Sequence, residues 1–139
     1  MPVRVLSCGT FDHLHPGHRS FLEQAARLGD ELVVVVARDE NVRRIKGRLP
    51  DHAEDERRAA VAALGVSSQV CLGYTGTNFL RIVAELKPQI IALGYDQRPP
   101  PGLAAAFPEV EVVVLQPYYP EKYKSSLVRA AASAPGSNA

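Results

Sequence analysis

Five short apolar runs alternate with segments of helical spacing, and this alternation restricts the fold more than any other feature of the chain. The runs are Val3–Leu6, Leu32–Ala37, Val70–Leu72, Ile90–Leu93 and Val110–Leu115. Continuous apolar strands joined by amphipathic crossovers are typical of a parallel sheet with helices on both faces. The pattern therefore predicts an α/β protein built on a doubly wound, five-stranded parallel sheet.

Helices are predicted between these runs from the spacing of their apolar residues. One apolar stripe runs from Phe21 to Leu28, and Gly29 is expected to end that helix. The segments Asp55–Leu64 and Phe79–Leu86 are two further predicted helices, and the segment around Ser125 and Ser126 is predicted to open a last one. The segment 97–102 holds three consecutive prolines and is predicted to be an irregular loop.

Length and charge narrow the classes of protein that the chain can belong to. Its 139 residues suit one domain, predicted over residues 1–132, with a small, polar tail at 133–139. Sixteen Lys plus Arg stand against fifteen Asp plus Glu, so no overall field favours nucleic acid or an anionic membrane as a partner. Two cysteines within apolar stretches and the lack of a signal segment lead us to expect a cytoplasmic protein without a membrane span.

The strongest functional pattern follows the first apolar run. It is the segment Gly9-Thr10-Phe11-Asp12-His13-Leu14-His15-Pro16-Gly17-His18, which we call the signature loop. Doubly wound sheets bind ligands at the carboxyl ends of their strands, beside helix N-termini whose free N–H groups favour phosphate. Gly9 and Gly17 permit close backbone approach, and His15 and His18 can donate hydrogen bonds. The loop is therefore predicted to bind phosphate.

The histidines also allow other interpretations. His13, His15 and His18 could bind a metal, since imidazole is a good zinc ligand, but no Cys or acidic partner completes a recognised spacing. For His13, an ordinary surface position is equally compatible with the sequence.

Two more segments could bring phosphate-binding groups to the same edge of the sheet. Ser125 and Ser126 follow the fifth run, with Arg129 about one turn further on, although the serines could simply cap a helix. Several cations follow the second apolar run. They could bind phosphate or simply be charged side chains exposed to solvent, and we interpret Arg43, Arg44 and Arg58 as solvent-exposed.

The signature loop resembles the His-x-Gly-His motif of the cytidylyltransferase-like superfamily. This Rossmann-like group of nucleotidyltransferases displaces pyrophosphate from a nucleoside triphosphate. The resemblance implies a catalytic role for His15, His18 and Lys46. It implies nucleotide binding by Gly9, Thr10, Phe11, Gly17, Arg57, Gly94, Asp96, Ser125, Ser126 and Arg129. The sequence shows no carboxylate cage for a dedicated metal, and Asp12 is the nearest candidate ligand. The chain has Ser126-Leu127 where many members have Thr, so the roles of the individual hydroxyl groups stay open.

A longer resemblance, over most of residues 4–97, is to FAD synthases of the archaeal type. It rests on Val35–Asp39, Val42, Ile45–Gly47, Pro50, Glu56–Arg58, Leu72-Gly73, Leu86–Pro88 and Leu93–Gln97. It implies acceptor-binding roles for Asp12, Arg38, Lys46, Tyr74 and Tyr95. Asp96 could hold a ribose hydroxyl or cap the following turn.

The resulting prediction is an ATP:FMN adenylyltransferase that forms FAD and pyrophosphate. Alternatives are a cytidylyltransferase using CTP and glycerol 3-phosphate, a pantetheine-phosphate adenylyltransferase, and a nucleotide-binding sensor without turnover. The resemblance also leads us to expect Mg²⁺ on the nucleoside triphosphate and assembly as a homodimer.

Overall fold

The computed structural model of the chain describes residues 2–74, 79–95 and 97–117. Its strands are β1 (Arg4–Gly9), β2 (Glu31–Val36), β3 (Gln69–Leu72), β4 (Ile90–Leu93) and β5 (Glu111–Val114). Neighbouring strands are all parallel, and their order across the sheet is β3-β2-β1-β4-β5. The predicted doubly wound, five-stranded α/β sheet is therefore confirmed.

Helices cover both faces of this sheet. In the described residues they are α1 (Pro16–Ala26), α2 (Asp39–Lys46), α3 (Glu54–Ala63), α4 (Phe79–Leu86) and α5 (Leu103–Ala106). Successive residues of a strand point to opposite faces, so each strand contributes to two cores. The core under α1 and α3 includes Val5, Leu22, Val34 and Val61. The core under α4 and α5 includes Leu6, Val33, Val83 and Leu103.

Helix α2 was not among the helices predicted from the sequence. Asp39 and Glu40 lie in its first turn, where the helix dipole favours negative charge, and Lys46 lies in its last turn, where it favours positive charge. Gly47 ends the helix with a left-handed φ of 86°. The helix buries Val42 while Ile45 is exposed, so it has little of the apolar periodicity on which the prediction relied.

The predicted role of Gly29 is wrong in its details. Helix α1 ends at Ala26, with Arg27 as its C-cap residue. A Cβ atom on Gly29 would lie 2.6 Å from the Val3 carbonyl oxygen and 2.9 Å from Val5 Cγ2. Gly29 is therefore needed for the close approach of the α1–β2 connection to the start of β1.

The order of strands places a crevice at the end of β1. The chain leaves β1 for β2 on one side, whereas β4 pairs with β1 on the other side, so the direction of winding reverses between β1 and β4. Ligands bind open α/β sheets at this switch point, beyond the carboxyl ends of the strands. The signature loop begins at this position. No helix of the described residues is long and apolar enough to cross a lipid bilayer.

Candidate active site

Two histidines of the signature loop form the first turn of α1. His15 is the N-cap residue, and its Nδ1 accepts a hydrogen bond of 3.0 Å from the Gly17 N–H. His18 Nδ1 accepts one of 3.2 Å from the His15 N–H. The two side chains thus close a capping box in which imidazoles replace the usual hydroxyl and carboxylate groups.

These hydrogen bonds fix the protonation of both rings. An Nδ1 that accepts a hydrogen bond carries no proton, so in the neutral ring Nε2 is the N–H donor. Burial lowers the pKa of His15 below its usual value and favours that neutral form. His18 is fully buried, and the two ring centroids are 4.0 Å apart. The loop therefore places two neighbouring imidazoles, each accepting a backbone N–H at Nδ1, at the positive end of a helix.

The backbone before α1 adopts an unusual conformation. Phe11 and His13 have φ angles of 55° and 51°, in the left-handed region that few non-glycine residues occupy. Phe11 is 1% exposed and packs against His18, with ring centroids 5.8 Å apart. This buried ring holds the turn in place below the two histidines.

Asp12 connects the turn to the segment that precedes α3. Its carboxylate accepts hydrogen bonds from the Asp51 N–H at 2.7 Å, the His52 N–H at 3.3 Å and His52 Nδ1 at 2.8 Å. Burial raises the pKa of Asp12, but these hydrogen bonds and the nearby His13 outweigh it and lower that pKa below its usual value. Asp12 is therefore a carboxylate that is already engaged with the protein.

Arg57 is buried at the centre of this arrangement. Its Nη1 donates to the carbonyl oxygens of Thr10 and Ala37, both at 2.8 Å, which joins the segments that follow β1 and β2. Its Nε donates to the His52 carbonyl at 2.9 Å, and its Nη2 to Asp39 Oδ1 at 2.6 Å. Four of its N–H groups thus hold protein groups, and a direct contact with phosphate stays a prediction.

Arg38 connects α2 to the two neighbouring segments. Its Nε donates to the Gly73 carbonyl at 2.7 Å, just beyond β3, and its Nη1 to Glu54 at 3.2 Å. The other oxygen of Glu54 accepts the Asp39 N–H at 2.8 Å. The first turns of α2 and α3 are therefore held together, and the predicted role of Arg38 in acceptor binding remains a prediction.

A cavity of about 530 Å³ opens at the end of β1. Gly9, Thr10 and Lys46 line it, so the predicted catalytic lysine and the start of the signature loop face the same space. Its apolar walls include Cys8, Val42, Ile45, Phe79, Ile91, Leu93 and Pro100. Burial raises the pKa of Cys8, which therefore contributes an uncharged thiol to this wall.

A second cavity of about 350 Å³ adjoins the first and shares Gly9, Ile45 and Phe79 with it. Tyr74, a predicted acceptor-binding residue, lines it. The Tyr74 hydroxyl donates to Glu85, and the Arg81 guanidinium lies 4.3 Å from the centre of the Tyr74 ring. These contacts hold the ring at the rim of the cavity.

The segment after β4 is attached to β1 through Gln97. Its Nε2 donates to the Cys8 carbonyl at 3.1 Å, and its Oε1 accepts the Gly94 N–H at 2.7 Å. Gly94, a predicted nucleotide-binding residue, is thereby fixed beside the crevice. Tyr95 is 42% exposed and is absent from the walls of both cavities. The remaining predicted site residues, Asp96, Ser125, Ser126 and Arg129, lie outside the described residues.

His52 is the residue of this region that the sequence did not reveal. It belongs to none of the motifs from which the site was predicted, yet its Nδ1 lies 2.8 Å from Asp12 Oδ1. Its separation of 40 residues from Asp12 gives no local signal. The fold supplies the contact, because β1 and β2 are adjacent and the β2–α3 connection returns to the same edge.

Comparison with known proteins assigns this site to a family. The family model described as Cytidylyltransferase-like matches residues 6–131, and the chain belongs to this family. The resemblance inferred from the signature loop is thereby confirmed.

The curated relatives are more specific. Over 96 residues, the chain is 46% identical to the protein named FAD synthase of Thermoplasma volcanium, a match that covers 69% of this chain and 66% of that protein. It is 52% identical to the FAD synthase of Archaeoglobus profundus over 68% of this chain and 59% of the relative. The chain thus matches slightly less than two thirds of the length of these relatives.

Solved structures agree with the fold. The crystal structure of the lipopolysaccharide core biosynthesis protein from Thermoplasma volcanium is similar, with a TM-score of 0.78, 39% identity, and coverage of 86% of this chain and 100% of that one. Pantoate-beta-alanine ligase from Francisella tularensis has a TM-score of 0.53 at 13% identity, with coverage of 94% of this chain and 69% of that one. The second likeness concerns the fold alone.

Proposed function

We propose that the protein is an ATP:FMN adenylyltransferase, an FAD synthase. The observation that carries the proposal is the pair of imidazole donors at the start of α1, His15 and His18, in a chain whose curated relatives bear that name at 44–52% identity. Such a pair suits a reaction that develops negative charge on phosphate oxygens.

The reaction requires no general base on the protein. The FMN phosphate is an anion at neutral pH, and one of its oxygens attacks the α-phosphorus of ATP. A new P–O bond forms, the bond between the α-phosphorus and the bridging oxygen breaks, and pyrophosphate leaves with the electron pair. The chain's task is to position the two phosphates and to stabilise the charge.

Each of the three predicted catalytic residues has a task in this scheme. The Nε2–H groups of His15 and His18 would donate to oxygens of the α-phosphate, and the N-terminus of α1 would add its positive potential. Lys46, which lines the cavity together with Gly9 and Thr10, would neutralise charge on the phosphates as pyrophosphate departs. Mg²⁺ would arrive with the triphosphate and keep several of its waters.

The cavities favour an acceptor with a large apolar ring. Their volumes of about 530 and 350 Å³ are in the range of sites for drug-sized ligands. Ile45 is 79% exposed at their rim, and Phe79 belongs to both walls. An isoalloxazine ring would bury such surfaces, whereas glycerol 3-phosphate has no apolar group that could cover them.

The test offers the purified protein ATP or CTP with Mg²⁺ and one acceptor at a time. The acceptors are FMN, glycerol 3-phosphate and phosphopantetheine, and the products are identified by mass and by released pyrophosphate. We expect FAD from ATP and FMN as the main product. If CDP-glycerol or dephospho-coenzyme A is the main product, the acceptor is glycerol 3-phosphate or phosphopantetheine and not FMN. If no pair of substrates releases pyrophosphate, the protein is not a nucleotidyltransferase.

A variant links the product to the proposed site. His18→Ala should lower the rate of FAD formation by about a hundredfold or more, the scale for losing a preorganised donor. Circular dichroism must first show that the variant is folded, because His18 is buried. A folded variant with normal turnover would exclude His18 from the mechanism.

The homodimer and the cytoplasmic location also belong to this proposal. Both follow from the resemblance and the composition. Light scattering on the purified protein would test the first, and cell fractionation would test the second.

A further inference from the structure

Three side chains with metal-binding atoms meet beside the signature loop. They belong to Asp12, His13 and His52, and one ligand atom from each lies within 4.8 Å of the others. We propose that this cluster binds a divalent transition-metal ion of the Zn²⁺, Co²⁺ or Ni²⁺ class. The site is separate from the Mg²⁺ that would accompany the triphosphate.

The distances are close to those that such an ion requires. Metal–ligand bonds of about 2.1 Å put neighbouring ligand atoms about 3 Å apart in tetrahedral or octahedral geometry. His52 Nδ1 and Asp12 Oδ1 are already 2.8 Å apart. The rings of His13 and His52 meet edge to face, with centroids 4.7 Å apart. A ligand atom of His13 lies within 4.8 Å of those of both other residues, which makes three ligands available to one ion.

Asp51 provides the outer contact that metal-binding histidines commonly have. His13 Nε2 lies 2.6 Å from Asp51 Oδ2. If Nε2 donates its proton to that carboxylate, Nδ1 carries the lone pair of the neutral ring and can bind an ion. A carboxylate behind a metal-bound imidazole fixes its orientation and makes it a stronger ligand.

The type of ligand and its exposure determine which ion can bind. Two imidazoles with one carboxylate suit first-row transition metals, whereas Mg²⁺ prefers oxygen ligands alone. The side chains of His13 and His52 are 60% and 46% exposed, so an ion can enter and waters can complete its coordination. Asp12 is mostly buried and supplies the fixed point of the site.

A bound ion would connect two separate parts of the chain. Asp12 and His13 belong to the signature loop, and His52 precedes α3. The His52 carbonyl is also held by Arg57, which binds the carbonyl of Thr10 in the same loop. The ion would therefore hold the turn between β1 and α1 against the segment before α3.

The test is a titration of chelator-treated protein with Co²⁺ in the absence of nucleotide and flavin. We expect one Co²⁺ per chain, visible ligand-field bands typical of nitrogen and oxygen ligands, and a melting temperature that rises with Co²⁺ concentration. An excess of Mg²⁺ should not displace the ion. Because no substrate is present, the result does not depend on the proposed function.

Variants locate the ion. His13→Asn and His52→Gln should each weaken Co²⁺ binding by at least tenfold, and Asp51→Asn by about 10- to 100-fold. Asn tolerates the left-handed backbone of residue 13, so the first variant keeps the fold. Asp55→Asn is the matched control, because its exposed carboxylate lies outside the cluster, and binding should be unchanged.

Specific outcomes would overturn the proposal. The first is that the wild-type protein binds no Co²⁺. The second is that both histidine variants bind Co²⁺ as tightly as the wild type. The third is that the bound ion shows intense sulfur-to-metal bands, which would place it on a cysteine. Undiminished binding would direct attention to the His15–His18 pair instead.

Discussion

Arg57 is expected to be the residue whose loss destabilises this domain most. It is 1% exposed, and four of its N–H groups bind the carbonyls of Thr10, Ala37 and His52 and the carboxylate of Asp39. We consider the replacement Arg57→Met, which keeps most of the side-chain volume and removes the charge and every donor. The four partners would then lose the group that holds them together.

The loss in the free energy of unfolding depends on the groups that are left without a partner when Arg57 is replaced. Removing one partner of a buried ion pair destabilises a protein by about 3–5 kcal/mol, because the other charge is left without compensation. Asp39 is 33% exposed, so water recovers part of this loss. The carbonyl that loses a donor in the buried interior adds about 1–3 kcal/mol. We therefore expect the free energy of unfolding to fall by about 4 kcal/mol.

Urea unfolding followed by circular dichroism measures this change from the midpoint and the slope. Arg58→Met is the matched control, because Arg58 is the next residue of α3, is 47% exposed and has one long ion pair of 3.8 Å with Asp55. That control should change the free energy of unfolding by less than about 0.5 kcal/mol.

The reasoning is refuted if Arg57→Met loses less than about 1 kcal/mol, near the average effect of any substitution. A variant of normal stability that needs much more ATP for half-maximal rate would make Arg57 a phosphate ligand instead. The experiment thus separates the family-based prediction from the contacts that the structure describes.

Four further predictions concern the proposed reaction and the fold. His15→Asn should retain the helix cap, since Asn is a good N-cap residue, yet lower turnover about a hundredfold in a pyrophosphate-release assay; a normal rate would exclude the His15 donor. Lys46→Ala should lower turnover by a similar factor while Arg43→Ala, on the same helix, leaves it unchanged, and equal rates of both would exclude a specific role for the lysine. Because burial lowers the pKa of His15 below 6.5 and a protonated Nδ1 can no longer accept the Gly17 N–H that orients the ring, a pH profile of kcat/KM should show loss through His15 only as the pH falls below 6.5; a loss through this residue that begins above that value contradicts the assignment. Gly29→Ala should lower the free energy of unfolding by about 1–3 kcal/mol, measured with urea, because its Cβ would lie 2.6 Å from the Val3 carbonyl oxygen, and an unchanged stability would show that the connection relaxes freely.

The sheet was predictable because buried parallel strands have a strong composition. Val33–Val36 is a run of valines, and the structure buries it on both faces of β2. Helix α4 was found with the same limits, Phe79–Leu86, because its apolar residues follow the helical period and Pro88 stops it. Such signals lie within a few neighbouring residues, so no knowledge of the fold was needed.

Helix α2 was missed for a different reason. It holds only one buried residue, Val42, so apolar periodicity could not reveal it. Its acidic start, basic end and terminal Gly47 were nevertheless present in the sequence and would have predicted it. A method that reads charge and capping beside hydrophobicity would have recovered this element.

The predicted site was only partly accessible to local reasoning. The signature loop was found because its residues are contiguous and lie between a strand and a helix. The Arg57–Thr10 and His52–Asp12 contacts join residues that are 47 and 40 positions apart, and the parallel pairing of β1 and β2 brings their segments to the same edge of the sheet. Motif spacing alone carries no information about such contacts.

The imidazole capping box has a consequence for how this protein would fail in acid. His15 and His18 each accept a backbone N–H hydrogen bond at Nδ1, and these bonds hold the first turn of α1 together. A proton that binds Nδ1 occupies the same lone pair. Protonation of His15 at Nδ1 would turn this acceptor into a donor, break its hydrogen bond with the Gly17 N–H, and loosen the turn that orients the Nε2–H donor. Fraying of the first turn of α1 and loss of activity should therefore appear together as the pH falls, and a more acid-resistant form would need a different cap at this helix end.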